Sequence, residues 1–471
     1  MLRPWELNIT INHHSGKAVY MQIADAIIAA VKSGKLRSGD ALPGSRQLAA
    51  QLQLNRNTIV EALDVLLAEG WLESRERLGT FVAEDLPVIK AVKPEQHKPE
   101  KNKAAAPKPA VIFDDGQPDS RIAPINELAR AYRQIFHRKG RWQMMGYSNE
   151  TDDPAFRLAI VQMLNYRRGM RLNADDVFIT RGSQMAMYLS AHCLLGKGDD
   201  VVIEHPGYKP AWQAFEQAGA RLLPVGVDKE GLITEELKKY LRRYRSIRAV
   251  YITPHHQYPT TVTMSLQRRL ELIALSNEYG FTIIEDDYDN EFHFGQRPVL
   301  PICSYENLEN YIYVGTMSKI VAPALRIGYL ASSRGFIGKV GQLRRIIDVQ
   351  GDNIMEQAIL QLVKEGEIKR HLKRATAVYK ARRDLFDGLL REHLSGKVNF
   401  SRPEGGLAFW LEPNGRTNLV KLAETLQQHG IQVAHPERYS YGEPVNGLRL
   451  GYASLGEKQL EAGVKGIGRW L

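Results

Sequence analysis

Cysteine is scarce: the 471 residues hold only Cys193 and Cys303, with no CxxC spacing. A disulfide framework and a thiolate zinc site are therefore not expected, and a reducing, cytoplasmic setting fits. No apolar run approaches the roughly 18 residues of a membrane helix, so no span is expected. The N-terminus, MLRPWELNITINHHSGK, has no apolar stretch behind a basic start, so no signal peptide is expected. Charge of one sign is also missing where a basic N-terminal tail would show it. Residues 1–84 carry nine Lys/Arg and nine Asp/Glu, although the whole chain is +10. Any anion reader in that segment must rely on a few placed side chains rather than on bulk charge.

What is present is an apolar fraction of 44% and a length beyond one ordinary domain. Residues 85–112 hold five Pro and six Lys without helical or strand periodicity, which reads as a semi-extended linker. Four segments follow: an N-terminal unit over 1–84, the linker over 85–112, a large α/β domain over 113–345 and a smaller C-terminal α+β domain over 346–471.

In the first unit Tyr20, Ile23, Ile27, Ile28 and Val31 recur at helical spacing, and Gly34 stops the run. Ser45 is placed to cap a helix reaching Gln53, and Asn55 or Asn57 to open another that ends at Gly70. Short strands at Trp71–Ser74 and Thr80–Val82 flank a turn at Arg77–Gly79. Three helices and a hairpin in this order describe a winged helix-turn-helix. Its recognition helix presents its first residues to base edges. Arg56, Asn57 and Thr58 hold those positions, Arg46 can reach a phosphate, and Arg75 and Arg77 lie on the wing. Double-stranded DNA is the implied partner. The string LPGSRQLAAQLQLNRNTIVEALDVLLAEGWLESRERLGTFVA resembles the GntR-type winged helix.

In the long unit, strands expected at Asp176–Thr180, Asp200–Glu204, Ala249–Thr253, Thr282–Asp286 and Tyr311–Val314 alternate with helices such as Leu266–Glu278. That pattern implies a mostly parallel, helix-covered sheet with ligands at its carboxyl edge. A helical stretch is expected over roughly Met355–Leu390. Two motifs stand at strand ends: YVGTMSKIVAPALRIGYL and TIIEDDYDNEF. Lys319 follows one strand in a turn where Thr316 and Ser318 offer hydroxyls, and Arg326 adds a charge-assisted phosphate ligand. A lysine beside a cationic arginine is expected to have a lowered pKa and so to act as a nucleophile. Asp286 ends another strand, two residues before Tyr288. These are the parts pyridoxal 5'-phosphate needs: a Schiff-base lysine, a carboxylate for the pyridine nitrogen and donors for phosphate. Tyr288 would meet the ring hydroxyl. The acids around Tyr288, with His293, leave a metal site as the competing reading. Ser183 and Gln184 open a helix after a strand, a natural phosphate cup. Tyr208 follows the next strand, where an aromatic can stack on the ring. Arg449 in GLRLGYAS can clamp an effector carboxylate.

From about Ile112 onward these strings resemble the fold-type I aminotransferases, and their fusion to the GntR-type reader resembles the MocR group of regulators. The resemblance implies a homodimer whose reader domains pack on the partner chain, with Tyr147 reaching the neighbouring phosphate. A linker of about 3.1 Å per residue in Pro-rich form allows that exchange. It further implies a regulator that senses pyridoxal phosphate or its adduct with an amino compound, in vitamin B6 or amino-acid metabolism, with no net turnover. An active aminotransferase carrying a DNA-binding domain is the alternative. The chain departs from the family at Glu150–Pro154, where a Gly-rich stretch is usual, and at Pro259–Thr260–Thr261 in place of PTG. Lys209–Pro210 stand where the γ-aminobutyrate-responsive member is expected to have an arginine, which argues against that effector. Two basic runs, Lys238–Arg248 and Lys369–Arg383, are expected to be solvated helix faces, or else tracks for bent DNA.

Overall fold

A computed structural model describes residues 9–76, 78–86, 109–137, 142, 146, 152–295, 299–415 and 417–471. The chain divides into two compact units, Met1–Ala105 and Ala106–Leu471. Most of the expected linker, 87–108, lies outside the described residues, as do Arg77 and Tyr147.

The first unit is three helices and a hairpin: α1 (Val19–Lys32), α2 (Ser45–Leu52), α3 (Arg56–Ala68), β1 (Leu72–Arg75) and β2 (Gly79–Val82). The helical spacing of Ile23 and Ile27 puts both fully inside, against Leu48, Ile59, Leu66 and Val82. Each such side chain contributes about 1.5–3 kcal/mol by leaving water. Ser45 is not the cap expected of it. The extended residue Gly44 takes the N-cap position, and Ser45, already helical, accepts at 3.4 Å from Arg56 Nε. The α3 cap is Asn55, whose side chain accepts the Asn57 amide at 2.9 Å. Asn55→Ala is expected to cost about 1 kcal/mol and lower the melting temperature. DNA affinity should fall with it, since the cap orders the turn that carries Arg56 and Asn57. An unchanged melting curve would refute the capping role. β1 and β2 pair antiparallel from Leu72↔Val82 to Arg75↔Gly79, and Ala41 bridges to Phe81 as a third short edge.

The second unit runs β3 (Val111–Ile112), α4 (Ile125–His137), α5 (Pro154–Arg168), β4 (Val177–Thr180), α6 (Ser183–Leu194), β5 (Asp200–His205), α7 (Lys209–Gln217), β6 (Arg221–Asp228), β7 (Gly231–Leu232), α8 (Thr234–Arg243), β8 (Ile247–Ile252), α9 (Leu266–Tyr279), β9 (Thr282–Asp287), β10 (Tyr311–Thr316) and β11 (Gly328–Ala331). It continues with α10 (Arg334–Asp348), α11 (Asn353–Lys364), α12 (Glu367–Leu394), β12 (Val398–Phe400), β13 (Ala408–Pro413), α13 (Leu419–Gln428), β14 (Ile431–Gln432), β15 (Leu448–Gly451) and α14 (Glu457–Trp470).

Eight strands form the main sheet in the order β4-β11-β10-β9-β8-β5-β6-β7. Neighbours from β10 through β6 are parallel. The buried apolar runs in β5, β8 and β9 suit strands covered on both faces. β11 is antiparallel to both β4 and β10. Its start therefore lies at the same edge as the ends of β4 and β10, which brings Arg326 to the site. The helical stretch expected over roughly Met355–Leu390 is helical, divided into α11 and α12 where Gly366 takes φ +71°. Val111–Ile112, assigned from sequence to the linker, pair with β14, and Asp114 O accepts from Gly451 N at 2.9 Å. The chain entry is thus held by the C-terminal strands β14 and β15.

The basic runs are partly neutralised. Lys238 pairs with Glu235 and Glu271, Arg248 with Asp199, Arg370 with Glu367 and Lys380 with Asp384, while Arg383 is buried.

Candidate functional site

At the carboxyl edge of the sheet lies a cavity of about 260 Å³. Eight of the residues expected there line it: Lys319, Asp286, Tyr288, Arg326, Ser183, Tyr208, Thr316 and Ser318. They are distant in sequence, and parallel strand ends bring them together. β9 delivers Asp286 and Tyr288, the turn after β10 delivers Lys319, and the turn after β5 delivers Tyr208.

Asp286 is buried, and its Oδ2 accepts from Tyr251 OH at 3.0 Å. Its Oδ1 is buried with no hydrogen-bond partner among the described residues. Burial pushes its carboxyl up to about 7, with Asp287 adding to the rise while the Tyr251 hydroxyl and Lys319 oppose it. The Lys319 ammonium stands 4.4 Å over the Tyr288 ring. Its pKa is lowered as expected, but the main cause is burial; Arg449 lowers it further and Asp289 works against both. The Tyr288 hydroxyl donates to His256 O at 2.8 Å and accepts from Arg449 Nη2 at 3.2 Å. Tyr208 meets Tyr258 edge-on at 5.1 Å, and burial pushes its phenol up to about 12.

The phosphate side is built from a turn and a helix start. Gly182, at φ +85°, caps α6, and Ser183 is its first residue. A Cβ at Gly182 would fall 2.7 Å from Arg326 Nη2, so the guanidinium lies where only glycine leaves room. Arg326 itself holds φ +51°, an uncommon conformation for an arginine, and donates to Arg181 O at 3.3 Å. Thr316 Oγ1 accepts the Ser318 amide at 3.1 Å, while Ser318 Oγ is buried without a partner among the described residues. Gln184 turns away and donates to Pro210 O at 2.9 Å. Arg449 is 1% exposed and does not line the cavity. Its fork donates to Pro259 O at 2.9 Å and to Tyr288 OH.

Three contributors escaped the sequence reading. Tyr251 sits in an apolar strand and reads as core. Asp115 lies at the chain entry, outside the motifs singled out in the sequence. Glu204 is buried behind the cavity, where its carboxylate accepts from Thr253 N (3.0 Å) and Oγ1 (2.8 Å). Burial pushes Glu204 up to about 7 despite those bonds. An acid whose pKa is raised on folding contributes stability below its unfolded pKa, lost as pH rises through the folded value. The rise from 4.5 corresponds to roughly 3 kcal/mol. Glu204→Gln should therefore gain on the wild type by about that amount between pH 5 and pH 8. Melting of the cofactor-free protein checks this, and a pH-independent difference would show that Glu204 does not titrate there.

In the first unit Arg46, Arg56 and Asn57 are exposed on α2 and α3, and Thr58 is half-buried beside them. Arg75 is committed within the unit: it pairs with Glu73 and Glu84 and stacks on Phe81 at 4.7 Å.

Residues 19–82 match the family described as bacterial regulatory proteins, gntR family. Over 480 residues the chain is 28% identical to the probable rhizopine catabolism regulatory protein MocR of Rhizobium meliloti, covering 98% of this chain and 95% of that protein. It is likewise 28% identical to the HTH-type transcriptional regulator TauR of Rhodobacter capsulatus, over 96% of each chain. Among solved structures, the α-aminoadipate aminotransferase LysN of Thermus thermophilus superposes with a TM-score of 0.70 at 27% identity, covering 76% of this chain and 91% of that one. That enzyme was crystallised with N-(5'-phosphopyridoxyl)-L-leucine.

A winged-helix DNA reader joined to a domain of the fold-type I aminotransferase fold defines a transcriptional regulator that binds double-stranded DNA. Residues 19–82 form a gntR-family reader, and over nearly its whole length the chain is similar to the MocR and TauR regulators. Among the described residues no helix is long and apolar enough to cross a membrane.

Proposed function

We propose that this regulator holds pyridoxal 5'-phosphate in the Lys319 cavity and reads an amino compound there. The observation that carries the reading is the convergence of Lys319 and Asp286 on one small cavity whose buried acceptor Asp286 Oδ1 and hydroxyl Ser318 Oγ lack partners among the described residues. Buried polar groups are rarely left unpaired, so both suit a polar occupant. Asp286 would face the pyridine nitrogen, with Tyr251 orienting its carboxylate. Ser183, Thr316, Ser318 and Arg326 would hold the phosphate, and Tyr208 and Tyr288 would bound the ring. The bound cofactor supplies an electrophilic carbonyl that a primary amine can join. Lys319 provides the resident amine, and its burial favours the uncharged, reactive form.

The regulatory step is a population shift: an amino compound must bind two arrangements of the protein with different affinity to alter DNA binding. A homodimer with exchanged readers, operating in a cytoplasmic setting on genes of vitamin B6 or amino-acid metabolism, completes the proposal. The segment 113–345 acts as the large domain and 346–471 as the small one, with the chain entry joined to the latter.

The test follows visible absorption as pyridoxal phosphate is added to the cofactor-free protein, then maps DNA footprints with and without amines. A saturable band, and footprints at two half-sites that change with one amine, are expected. If no band forms, the cofactor reading is wrong. Repeated conversion to pyridoxamine phosphate and back with a keto acid would instead establish an aminotransferase.

A further inference from the structure

The residue expected to receive an effector's carboxylate is not at the cavity wall. Arg449 is enclosed: Nη1 donates to Pro259 O at 2.9 Å, Nη2 to Tyr288 OH at 3.2 Å and Nε to Asp115 O at 3.4 Å. The Tyr258 ring covers it at 4.9 Å. What lines the cavity in its place is an acid, Asp115.

Asp115 is held in place by its surroundings. Asp114 Oδ1 accepts the amides of Gly116 and Gln117 at 2.8 Å, and its backbone accepts from β15 at Gly451. Gly116, at φ +83°, turns the chain so closely that a Cβ would lie 3.4 Å from Arg449 Nη2. Asp115 Oδ2 accepts from Tyr258 OH at 2.6 Å. Its Oδ1 is buried and has no hydrogen-bond partner among the described residues; the nearest cation among them, Arg449 Nε, is 3.5 Å away, too far for one.

We propose that Asp115 determines the specificity of this cavity and selects a diamine over an amino acid, its carboxylate receiving the ammonium at the end of the ligand remote from the cofactor. The inference rests on the cofactor reading above and adds the chemical class of the effector. The charge pattern supports it. Arg449 is already neutralised by Asp115, and its fork is spent on fixed acceptors. An incoming carboxylate would lie beside a half-buried carboxylate of the same sign and leave the buried Asp115 Oδ1 without a donor. An ammonium satisfies that oxygen; of the cations near it, Arg449 is enclosed and already faces Asp115, while Lys319 and Arg326 stand on the cofactor's side of the cavity in the reading above. A charge-assisted bond of this kind changes affinity by about tenfold to a hundredfold.

The protein loaded with pyridoxal phosphate is titrated with putrescine, butylamine and γ-aminobutyrate, which share a four-carbon chain, following the displacement of the cofactor band. Putrescine is expected to half-saturate at a concentration at least tenfold below the other two. In Asp115→Asn that advantage should vanish and γ-aminobutyrate should tighten. If γ-aminobutyrate binds the wild type as well as putrescine does, or if Asp115→Asn weakens all three equally, the proposal is overturned. Should the variant lose the cofactor band, the wild-type ranking alone decides. A wild-type protein that forms no band before any amine is added refutes the cofactor reading itself, which is a separate result.

Discussion

Lys319→Ala is expected to abolish the visible band that pyridoxal phosphate gives with the wild-type chain. Among the described residues that line the cavity Lys319 is the single lysine. Its burial lowers the cost of presenting an uncharged amine. An alanine there leaves the cofactor only its phosphate contacts and Asp286. Equilibrium dialysis should then show weakened, non-covalent retention, with the absorbance of the free aldehyde. Reduction with borohydride followed by peptide mapping gives the same answer covalently: the label should fall on Lys319 in the wild type and nowhere in the variant. A label persisting on another lysine would displace Lys319 from its role. Asp286→Ala makes a useful companion. It should keep the band but weaken retention, because it removes the partner of the ring nitrogen and not the reacting amine.

The second large effect concerns DNA. Arg56 and Asn57 stand exposed on the first turn of α3, the turn that a winged helix presents to base edges. Arg56→Ala and Asn57→Ala should each weaken specific binding by about 1–3 kcal/mol, close to tenfold or a hundredfold, and should relax the base preference at one position of each half-site. Arg46→Ala should behave differently. A phosphate contact weakens all sequences alike and lowers the salt slope by about 0.9. Competition binding against a library of single-base operator variants separates the two patterns. If Arg56→Ala lowers affinity uniformly and shifts the salt slope instead, Arg56 is a phosphate contact and the reading of α3 must be moved along the helix. Because residues 1–84 carry equal numbers of positive and negative side chains, loss of one such contact is not masked by bulk attraction.

Much of this was legible in one dimension, for identifiable reasons. The helical period of Tyr20 to Val31, the cap at Asn55 and the strand ends before Asp286 and Lys319 are local signals, set by residues within a few positions of each other. Motif strings that span a turn, such as GTMSKIVAPALR, are local in the same way. The misreadings arose where a local signal competed with a neighbour. Gly44 displaced Ser45 as a cap because the extended chain before it already stood at the helix entrance. Gly366 divided a helical stretch that its periodicity could not divide. Gln184 carries the right donor at the right spacing, yet its amide is taken by Pro210 O.

The sequence by itself determined the two kinds of domain, the order of their elements and the candidate lysine and acid that meet at the cavity, because each depends on spacing within one segment. Only the tertiary structure decided which charges share the cavity. Asp115 and Arg449 are 334 positions apart, and the pairing of the chain entry with β14 and β15 sets an acid against the expected carboxylate clamp. Tyr251 meets Asp286 only because β8 and β9 run parallel in register. Such contacts are made by sheet order and desolvation, and neither has a period or spacing along the chain.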